Sequence, residues 1–459
     1  KTPHFDRLAR DGALFTRAYS ACPSCTPSRS AVLTGKPIWQ TGEGGVLYGT
    51  LPPSLPVWPL QLRDAGYHTG FTGKSWSPGD WSAAGRTEHP CGREYNQLRL
   101  SPAPHRALDP RDAAANFTAF LADRKDPAQP FCFWFGSTEP HRAFENGAGL
   151  RAGKRTADVK VPAYWPDTEE VRSDILDYYA EIDWFDQQLG RLLAVLESKG
   201  ELDRTLIVVT SDNGMAFPRS KVNLYDPGIH MPLAIRWPAQ VPAGKKIDEF
   251  VQHTDFFEFF RHAAGLAPSS PLSDLIRTGT PIRNHLVTAL ERHVMARPDG
   301  ATYPIRSLRN KQFSYFRNFA PDRWPTGGDF LSSNKTTHGD VDGAPIKDFM
   351  LDPANQKKFP REFQLCFGRR PAEELYDLTN DPHEVTNLAT RPEHAATLAS
   401  LRAQLEAHLR AAADPRIAGQ DPWQQYPYRQ TTGYGASFNS TLSQQERDRA
   451  AGRATHKPE

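Results

Sequence analysis

The stretch Thr205-Leu206-Ile207-Val208-Val209-Thr210-Ser211-Asp212-Asn213-Gly214 decides the fold class of this chain. Its first six residues are apolar or β-branched, and its last four are residue types that favour turns. A short run that is apolar on both faces and ends in a turn indicates a strand buried inside a parallel sheet. We therefore predict a buried strand at residues 205–210.

Two upstream runs have the same character. Residues 68–73 follow a helix-like segment and end at Lys74. Residues 130–135 form a continuous apolar run that ends in the polar sequence Gly136-Ser137-Thr138-Glu139-Pro140-His141. Because ligands of an open parallel sheet bind at the carboxyl ends of its strands, these three ends are where we expect a site.

A long amphipathic helix is predicted between the last two strands. Its end is marked by Gly200. Its apolar residues recur at spacings of three and four: Ile175, Tyr178, Tyr179, Ile182, Phe185, Leu189, Leu192, Leu193 and Leu196. This alternation of strand and helix predicts an α/β sandwich with a large, mostly parallel sheet flanked by helices.

The sequence changes character after Pro298. Residues 303–308 and 312–319 flank a polar turn and predict a hairpin, whereas Pro, Gly, Asp and Asn predict a loop at 320–360. A helix is predicted at residues 393–412. The chain is therefore divided into three parts: a main α/β domain (1–298), a smaller C-terminal α+β subdomain with an antiparallel sheet (299–415) and a polar tail (416–459).

Charge and composition exclude several classes of protein. The 459 residues include 55 Lys plus Arg against 53 Asp plus Glu, a formal net charge of +2. A nucleic-acid-binding protein normally shows a clustered basic excess, so we predict no such partner. No apolar run approaches the roughly 20 residues of a membrane-spanning helix, so no membrane association is predicted. Five cysteines exclude a disulfide scaffold. The sequence carries no signal of oligomeric state.

The chain opens on a helix start. Thr2 suits an N-cap, Pro3 suits the first helical position, and Asp6 suits the first turn. We expect that a preceding segment, together with any targeting signal, has been removed.

The stretch Cys22-Pro23-Ser24-Cys25-Thr26-Pro27-Ser28-Arg29-Ser30-Ala31-Val32-Leu33-Thr34-Gly35 is the most informative for chemistry. Cys22 and Cys25 form a C-x-x-C pair, as in redox pairs and half zinc sites. A zinc site needs a second pair of ligands, but the other cysteines are isolated: Cys91, Cys132 and Cys366. A redox pair needs a small βαβ domain, which the flanking sequence does not provide.

The other interpretation starts at Cys25. The eleven residues from Cys25 to Gly35 resemble the signature of the type I sulfatases, in which this Cys becomes formylglycine through a formylglycine-generating enzyme. Further segments resemble that family's motifs: Gly73-Lys74, Glu139-Pro140-His141-Arg142, Ser211-Asp212-Asn213-Gly214, residues 221–228 and Glu374-Leu375-Tyr376-Asp377-Leu378. The resemblance extends from residue 1 to about residue 415 and implies an alkaline-phosphatase-like sandwich. Within the family, residues 223–228 and the Glu-Pro-His-Arg loop look closest to heparan N-sulfatase (N-sulfoglucosamine sulfohydrolase) and its bacterial relatives.

The resemblance implies a role for each motif residue. The hydrated aldehyde at position 25 would attack sulfur and then expel sulfate, and the dipole of the helix that begins there favours an anion. Arg29 would hold the hydrate and the sulfate. Lys74 and Lys221 would neutralise sulfate oxygens, while His141 would bind sulfate or protonate the leaving atom.

A metal and a sugar would complete the predicted site. The resemblance implies a Ca²⁺ ion held by three residues: Asp212, Asn213 and the modified Cys25. Five residues are predicted to surround the sulfate position and contact the sugar: Trp76, Glu139, Arg142, Arg292 and His293. Trp76 offers a stacking face, and Arg292 offers a cation for a uronate or a second sulfate. Taken singly, several motifs have plain structural explanations, since Asp-Asn-Gly is a common turn and a lone Lys is usually solvated.

Two features depart from the family pattern. Sulfatases begin with an apolar strand that ends in paired aspartates, both metal ligands, and this chain starts after that point. We therefore expect a free sheet edge and poor metal binding by a product with this start. The family's Lys-x-His is replaced by Lys74-Ser75-Trp76, which moves any acid role toward His141 or Lys221.

We predict a formylglycine-dependent sulfatase that acts on a sulfated sugar, with N-sulfoglucosamine of heparan-type glycans as the first candidate. The alternatives are a carbohydrate O-sulfatase, a phosphonate or phosphate ester hydrolase of the same superfamily, and a non-catalytic glycan-binding relative. The family implies a periplasmic or secreted location, or a lysosomal one in a eukaryote.

Overall fold

The computed structural model describes residues 1–105, 107–332 and 335–430. In chain order the helices are α1 (Pro3–Arg10), α2 (Cys25–Thr34), α3 (Trp58–Asp64), α4 (Ala113–Ala122), α5 (Ala148–Arg151), α6 (Glu169–Ser198), α7 (Asp226–Ile229), α8 (Phe256–Ala263), α9 (Pro271–Thr278), α10 (Pro345–Leu351), α11 (Pro353–Lys358), α12 (Pro360–Phe367) and α13 (Ala395–Ala411). The strands are β1 (Ala13–Tyr19), β2 (His68–Gly73), β3 (Arg93–Glu94), β4 (Phe131–Gly136), β5 (Ile207–Thr210), β6 (His230–Arg236), β7 (Lys245–Ile247), β8 (Val251–Gln252), β9 (Leu286–Leu290), β10 (Ile305–Arg309), β11 (Phe313–Asn318) and β12 (Glu373–Asp377).

Two sheets form the centre of the main domain. One has the order β5-β6-β1-β7, with β8 also paired to β1, and it mixes parallel and antiparallel pairs. The other is the parallel sheet β3-β2-β4, in which β2 pairs with β4 along its whole length. All three strands predicted from the sequence are present, at β2, β4 and β5. β5 starts two residues later than predicted, and β4 is shifted by one residue.

One strand of each sheet lines a shared cavity. Within the described residues, β4 pairs only with β2, and β5 pairs only with β6. Both strands line a cavity of about 1140 Å³ that also reaches Cys25 and Asp212. β4 and β5 are thus edge strands among the described residues, and both lie beside the predicted site.

The predicted long helix is α6. Its N-terminus is capped by Thr168, whose side chain accepts a hydrogen bond from the backbone N–H of Val171. The apolar face contributes Leu189, Leu192 and Leu193 to the buried clusters between the helices and the sheets. α6 therefore covers one side of the cavity, as an amphipathic helix on a sheet should.

The C-terminal part is built on the antiparallel sheet β12-β11-β10-β9. The predicted hairpin is β10 and β11, paired from Ile305 opposite Asn318 to Arg309 opposite Ser314. The predicted helix is α13, which packs Leu401, Leu405 and Leu409 against that sheet. The boundary after residue 298 stays a prediction; β9, on its N-terminal side, pairs with β10.

The loop predicted at residues 320–360 is wrong in its last part. α10, α11 and the start of α12 lie there, and each begins with a proline: Pro345, Pro353 and Pro360. Proline breaks a helix interior but fits its first position, so a proline-rich segment can be a series of short helices.

The predicted tail begins as packed structure. Trp423 is only 1% exposed and lies in the same apolar cluster as Trp39 and Leu290. Arg416 forms an ion pair with the fully buried Glu291. Residues 416–430 therefore pack on the body of the protein, and the rest of the predicted tail, 431–459, lies outside the described residues.

Among the described residues, no helix has the length and apolar character needed to cross a membrane.

Candidate active site

Cys25 is the first residue of α2, a helix whose ten residues are all buried. The preceding residue, Ser24, is extended, and its hydroxyl is hydrogen-bonded to Nδ1 of His293 at 2.8 Å. The helix ends at Gly35, which adopts the left-handed conformation (φ 68°) typical of a C-cap glycine. Because the first backbone N–H groups of a helix are unpaired, position 25 favours a negative charge.

Side chains from three other segments converge on Cys25. The Nζ atom of Lys74, just after β2, lies 3.1 Å from Sγ of Cys25. The Nδ2 atom of Asn213, just after β5, lies 3.7 Å from the same sulfur. His141, after β4, is also hydrogen-bonded to the Cys25 side chain. The carboxyl ends of all three predicted strands thus contribute to one site, as expected for this class of sheet.

The electrostatic balance at Cys25 favours an anion. Burial alone would raise the pKa of its thiol, and the charge of Asp212 acts in the same direction. The positive charges of Lys74 and Lys221, with the hydrogen bond from His141, outweigh both and lower that pKa to about 6. The pocket is therefore built to hold negative charge at this position.

Arg29 connects the parts of the site. Its Nε atom donates to Oδ2 of Asp212 at 2.7 Å, and its Nη1 atom donates to the carbonyl oxygens of Lys74 (2.7 Å) and Ser75. Burial opposes the charged form of Asp212, but Arg29 and Lys74 prevail and hold the pKa of that carboxyl well below its usual range. Arg29 thus fixes the end of β2 and Asp212 relative to α2.

His141 and Lys221 form a pair whose hydrogen bonds define their roles. Nδ1 of His141 donates to the carbonyl oxygen of Arg142 at 2.6 Å, which leaves Nε2 as the nitrogen available to other groups. Nζ of Lys221 lies 3.3 Å from that Nε2 and donates to Oδ2 of Asp342 at 2.8 Å. Burial would lower the pKa of Lys221, but Asp342 and Cys25 raise it, so Lys221 is charged. Both side chains are therefore placed within reach of position 25.

A family model described as Sulfatase matches residues 1–266, more than half of the chain. The chain belongs to the sulfatase family. The prediction made from the Cys25 signature is confirmed, and the cationic pocket around that residue is the part of the sulfatase where an anionic group fits.

Characterised relatives cover nearly the whole chain. The human N-sulphoglucosamine sulphohydrolase is 29% identical over 474 residues, which cover 92% of this chain and 87% of the relative. An ulvan-active sulfatase of Formosa agariphila is 26% identical over 468 residues, which cover 90% of this chain and 71% of the relative. With the family match, these relatives identify the chain as an enzyme that hydrolyses sulfate esters.

Solved structures share the fold. A structure described as a complex with its substrate, D-glucosamine-2-N,6-O-disulfate, has a TM-score of 0.62 at 18% identity, over 90% of this chain and 93% of that chain. The phosphonate monoester hydrolase of Agrobacterium radiobacter has a TM-score of 0.61 at 19% identity, over 90% and 91%. The sulfatase therefore has the predicted alkaline-phosphatase-like sandwich.

Three of the residues predicted to contact a sugar are buried by contacts within the sulfatase. Trp76 is 1% exposed, and its Nε1 donates to Oγ of Ser30 at 3.0 Å. Glu139 accepts hydrogen bonds from Ser137 and from the backbone of Asp109. Arg142 forms a bidentate pair with the buried Asp174 at 2.8 Å. The polar groups of all three are satisfied inside the fold, and their contact with a sugar stays a prediction.

Arg292 and His293 are also buried and held by contacts within the fold, and their contact with a sugar likewise stays a prediction. Nη2 of Arg292 donates to the carbonyl oxygens of Tyr426 at 2.9 Å and Pro427 at 3.3 Å. Burial, with the charge of Lys221 adding to it, lowers the pKa of His293 to about 3, so this imidazole is neutral. His293 holds Ser24 at the start of α2, and Arg292 holds the chain after Trp423. Neither side chain is exposed at the surface of the protein.

The predicted Ca²⁺ ligands lie together but do not make a complete site. Nδ2 of Asn213 lies 3.7 Å from Sγ of Cys25, and the charge of Asp212 acts on the same thiol. Among the described residues, however, no group of three or more His, Cys, Asp or Glu side chains is placed to hold a metal. Ca²⁺ takes about six to eight oxygen ligands. Asp212 and Asn213 alone do not supply them, and the predicted weak metal binding by this chain stays a prediction.

Asp342 is the site residue that the sequence did not reveal. It lies in the segment predicted as a loop, and only its contact with Lys221, 121 positions away, assigns it to the site. No local pattern distinguishes it from the other acidic residues of that segment.

Proposed function

We propose that this sulfatase removes sulfate from a sulfated sugar, with N-sulfoglucosamine of heparan-type glycans as the first candidate substrate. The observation that carries the proposal is the convergence of Lys74, Lys221 and His141 on Cys25, with the resulting fall in the pKa of that thiol. Relatives named for N-sulfoglucosamine and for ulvan support a sugar substrate.

The residues of the site suit the displacement of a sulfate group. When Cys25 has been converted to formylglycine, its hydrate supplies one hydroxyl to attack sulfur and a second to expel sulfate. Lys74, 3.1 Å from position 25, neutralises oxygen charge there, and Lys221 does so from the side of Asp342. His141, which is hydrogen-bonded to the side chain at position 25, and Lys221, 3.3 Å from Nε2 of His141, are the two groups placed to bind sulfate or protonate the leaving nitrogen or oxygen.

Maturation and location follow from the same reasoning. The sequence Cys25-Thr26-Pro27-Ser28-Arg29 is the segment that a formylglycine-generating enzyme would act on. A glycan-degrading sulfatase acts where its substrate is found, so we propose a periplasmic or secreted enzyme, or a lysosomal one in a eukaryotic cell.

The first experiment is a substrate panel on protein co-expressed with a formylglycine-generating enzyme. Mass spectrometry of the Cys25 peptide establishes conversion, and the panel contains N-sulfo, 6-O-sulfo and 2-O-sulfo sugars and phosphate monoesters. We expect the highest kcat/KM on glucosamine N-sulfate. Faster turnover of O-sulfo sugars would make the chain a carbohydrate O-sulfatase, and faster turnover of phosphate esters would make it an ester hydrolase of the same superfamily.

One control separates catalysis from simple glycan binding. A converted protein that binds the sugars but turns over none of the panel would be a non-catalytic relative, and the proposal would be wrong. Cys25→Ala provides the baseline, because it retains the pocket and cannot form the aldehyde.

A further inference from the structure

The loop before α3 places one aromatic side chain beside the nucleophile. Tyr48 is partly exposed and packs against the cluster formed by Cys25, Leu47, Val294 and Ala296. Its pKa is raised, first by burial and then by the charge of Cys25, whereas Lys221 acts in the opposite direction. The phenol therefore lies within the electrostatic field of the site.

The backbone of Tyr48 is held in an unfavourable conformation. Its φ of 59° lies in the left-handed region, which is rare and unfavourable for a bulky side chain. The backbone N–H of Leu47 donates to the carbonyl oxygen of Arg292 at 3.3 Å, and that of Gly49 donates to Val46 at 3.3 Å. Such conformations persist only where neighbouring structure enforces them, and they cluster at ligand sites.

The ring of Tyr48 is also fixed from the side. It contacts the ring of Tyr428 with the two rings nearly perpendicular (76°) and their centroids 5.5 Å apart. Tyr428 is buried, and its segment is anchored where Arg292 holds the carbonyl oxygens of residues 426 and 427. The next residue, Arg429, forms an ion pair with Glu43, in which Nε lies 3.1 Å from Oε2. The C-terminal segment thus sets the plane of the Tyr48 ring.

We propose that Tyr48 is a substrate-binding residue whose ring packs against the pyranose ring that carries the sulfate. The inference rests on the proposed function, since it assumes a sugar next to the sulfate position. An aromatic face suits the C–H-rich face of a pyranose, and the phenol can exchange hydrogen bonds with a sugar hydroxyl. Trp76, the aromatic residue predicted for this role, is buried beneath α2, whereas Tyr48 is partly exposed.

The test compares two substitutions with opposite expectations. Tyr48→Asn removes the ring but suits the left-handed backbone, whereas Tyr48→Phe keeps the ring and removes only the hydroxyl. We measure kcat/KM for the best sugar sulfate of the panel and for methyl sulfate, which has no ring. Tyr48→Asn should lower kcat/KM for the sugar sulfate, relative to kcat/KM for methyl sulfate, by about tenfold, mainly through a higher KM for the sugar. In Tyr48→Phe the same ratio should stay within about twofold of the parent value. An unchanged ratio in Tyr48→Asn would overturn the inference.

A binding measurement separates this inference from the proposed function. In the Cys25→Ala background, saturation-transfer NMR gives the Kd of glucosamine N-sulfate and glucosamine 6-sulfate with and without Tyr48→Asn. If the converted enzyme hydrolyses none of the panel but Tyr48→Asn still weakens sugar binding, the proposed function is wrong and the role of Tyr48 stands. Unchanged Kd values would refute that role even in an active enzyme. If thermal melting shows that Tyr48→Asn does not fold, Tyr48→Gly, which also suits this backbone, replaces it.

Discussion

The Nζ atom of Lys74 lies 3.1 Å from the Sγ atom of Cys25, although the two residues are 49 positions apart in the chain. The contact joins the end of β2 to the start of α2, and Arg29 holds it in place by donating to the carbonyl oxygen of Lys74. A fixed ammonium and a helix N-terminus therefore act on the same atom, which explains why the site stabilises an anion despite its burial.

Replacing Cys25 should abolish activity without unfolding the protein. We expect Cys25→Ala to reduce turnover to background, because no other side chain can supply the nucleophile, while the melting temperature stays close to that of the parent. Cys22→Ala is the matched control, since Cys22 is buried in an apolar cluster and should retain most activity. Equal loss of activity in the two variants would revive the interpretation of residues 22–25 as a redox pair.

Replacing Lys221 should slow the chemical step on every substrate. Lys221→Ala removes the charge that faces Cys25 and the ammonium group that lies 3.3 Å from Nε2 of His141, so kcat should fall by roughly 10²–10³. The measurement is the initial rate at saturating substrate, and Lys160→Ala, at an exposed position, serves as the surface control. An effect on KM alone would show that Lys221 only binds substrate.

Replacing Arg292 should affect stability rather than substrate choice. Because its guanidinium is buried and satisfies two carbonyl oxygens of the C-terminal segment, Arg292→Ala should cost about 1–3 kcal/mol of unfolding free energy. Limited proteolysis should then cut near residues 420–430 sooner than in the exposed-site control Arg10→Ala. Selective loss of activity on substrates with an extra acidic group would instead restore Arg292 to a specificity role.

The sequence was sufficient for the parts of the site that lie at strand ends. Residues 68–73, 130–135 and 205–210 were recognisable as buried strands, so the convergence of Lys74, His141 and Asn213 could be predicted. A strand-end position does not, however, fix the direction of a side chain. Trp76 comes shortly after β2 and Arg292 shortly after β9, but both side chains point into the interior.

Other features depend on long-range contacts that no local pattern encodes. Asp342 joins the site only because Lys221 reaches it from a distant segment, and Trp423 is buried only because the C-terminal segment returns to the main domain. β1 was not predicted either, since Thr16 and Arg17 interrupt its apolar character.

Glu181 on α6 is a buried carboxyl, and no cation among the described residues offsets its burial. It is 2% exposed, and its Oε2 atom has no hydrogen-bond partner among the described residues. Burial, followed by the like charges of Glu139 and Asp177, raises its pKa from 4.5 to about 8. Glu181 is therefore protonated in the folded protein at neutral pH but ionised in the unfolded chain.

This difference predicts that the contribution of Glu181 to stability falls as pH rises. Between about pH 4.5 and 8 the folded state binds one more proton at Glu181 than the unfolded state, so the part of the unfolding free energy that depends on Glu181 decreases across that window. Glu181→Gln keeps the shape and remains neutral, so its urea midpoint should decline less between about pH 5 and 8 and should exceed that of the parent at the alkaline end. The exposed-site control Glu170→Gln, on the same helix, should follow the parent. Parallel pH profiles for the parent and Glu181→Gln would show that the Glu181 carboxyl is ionised in the folded state.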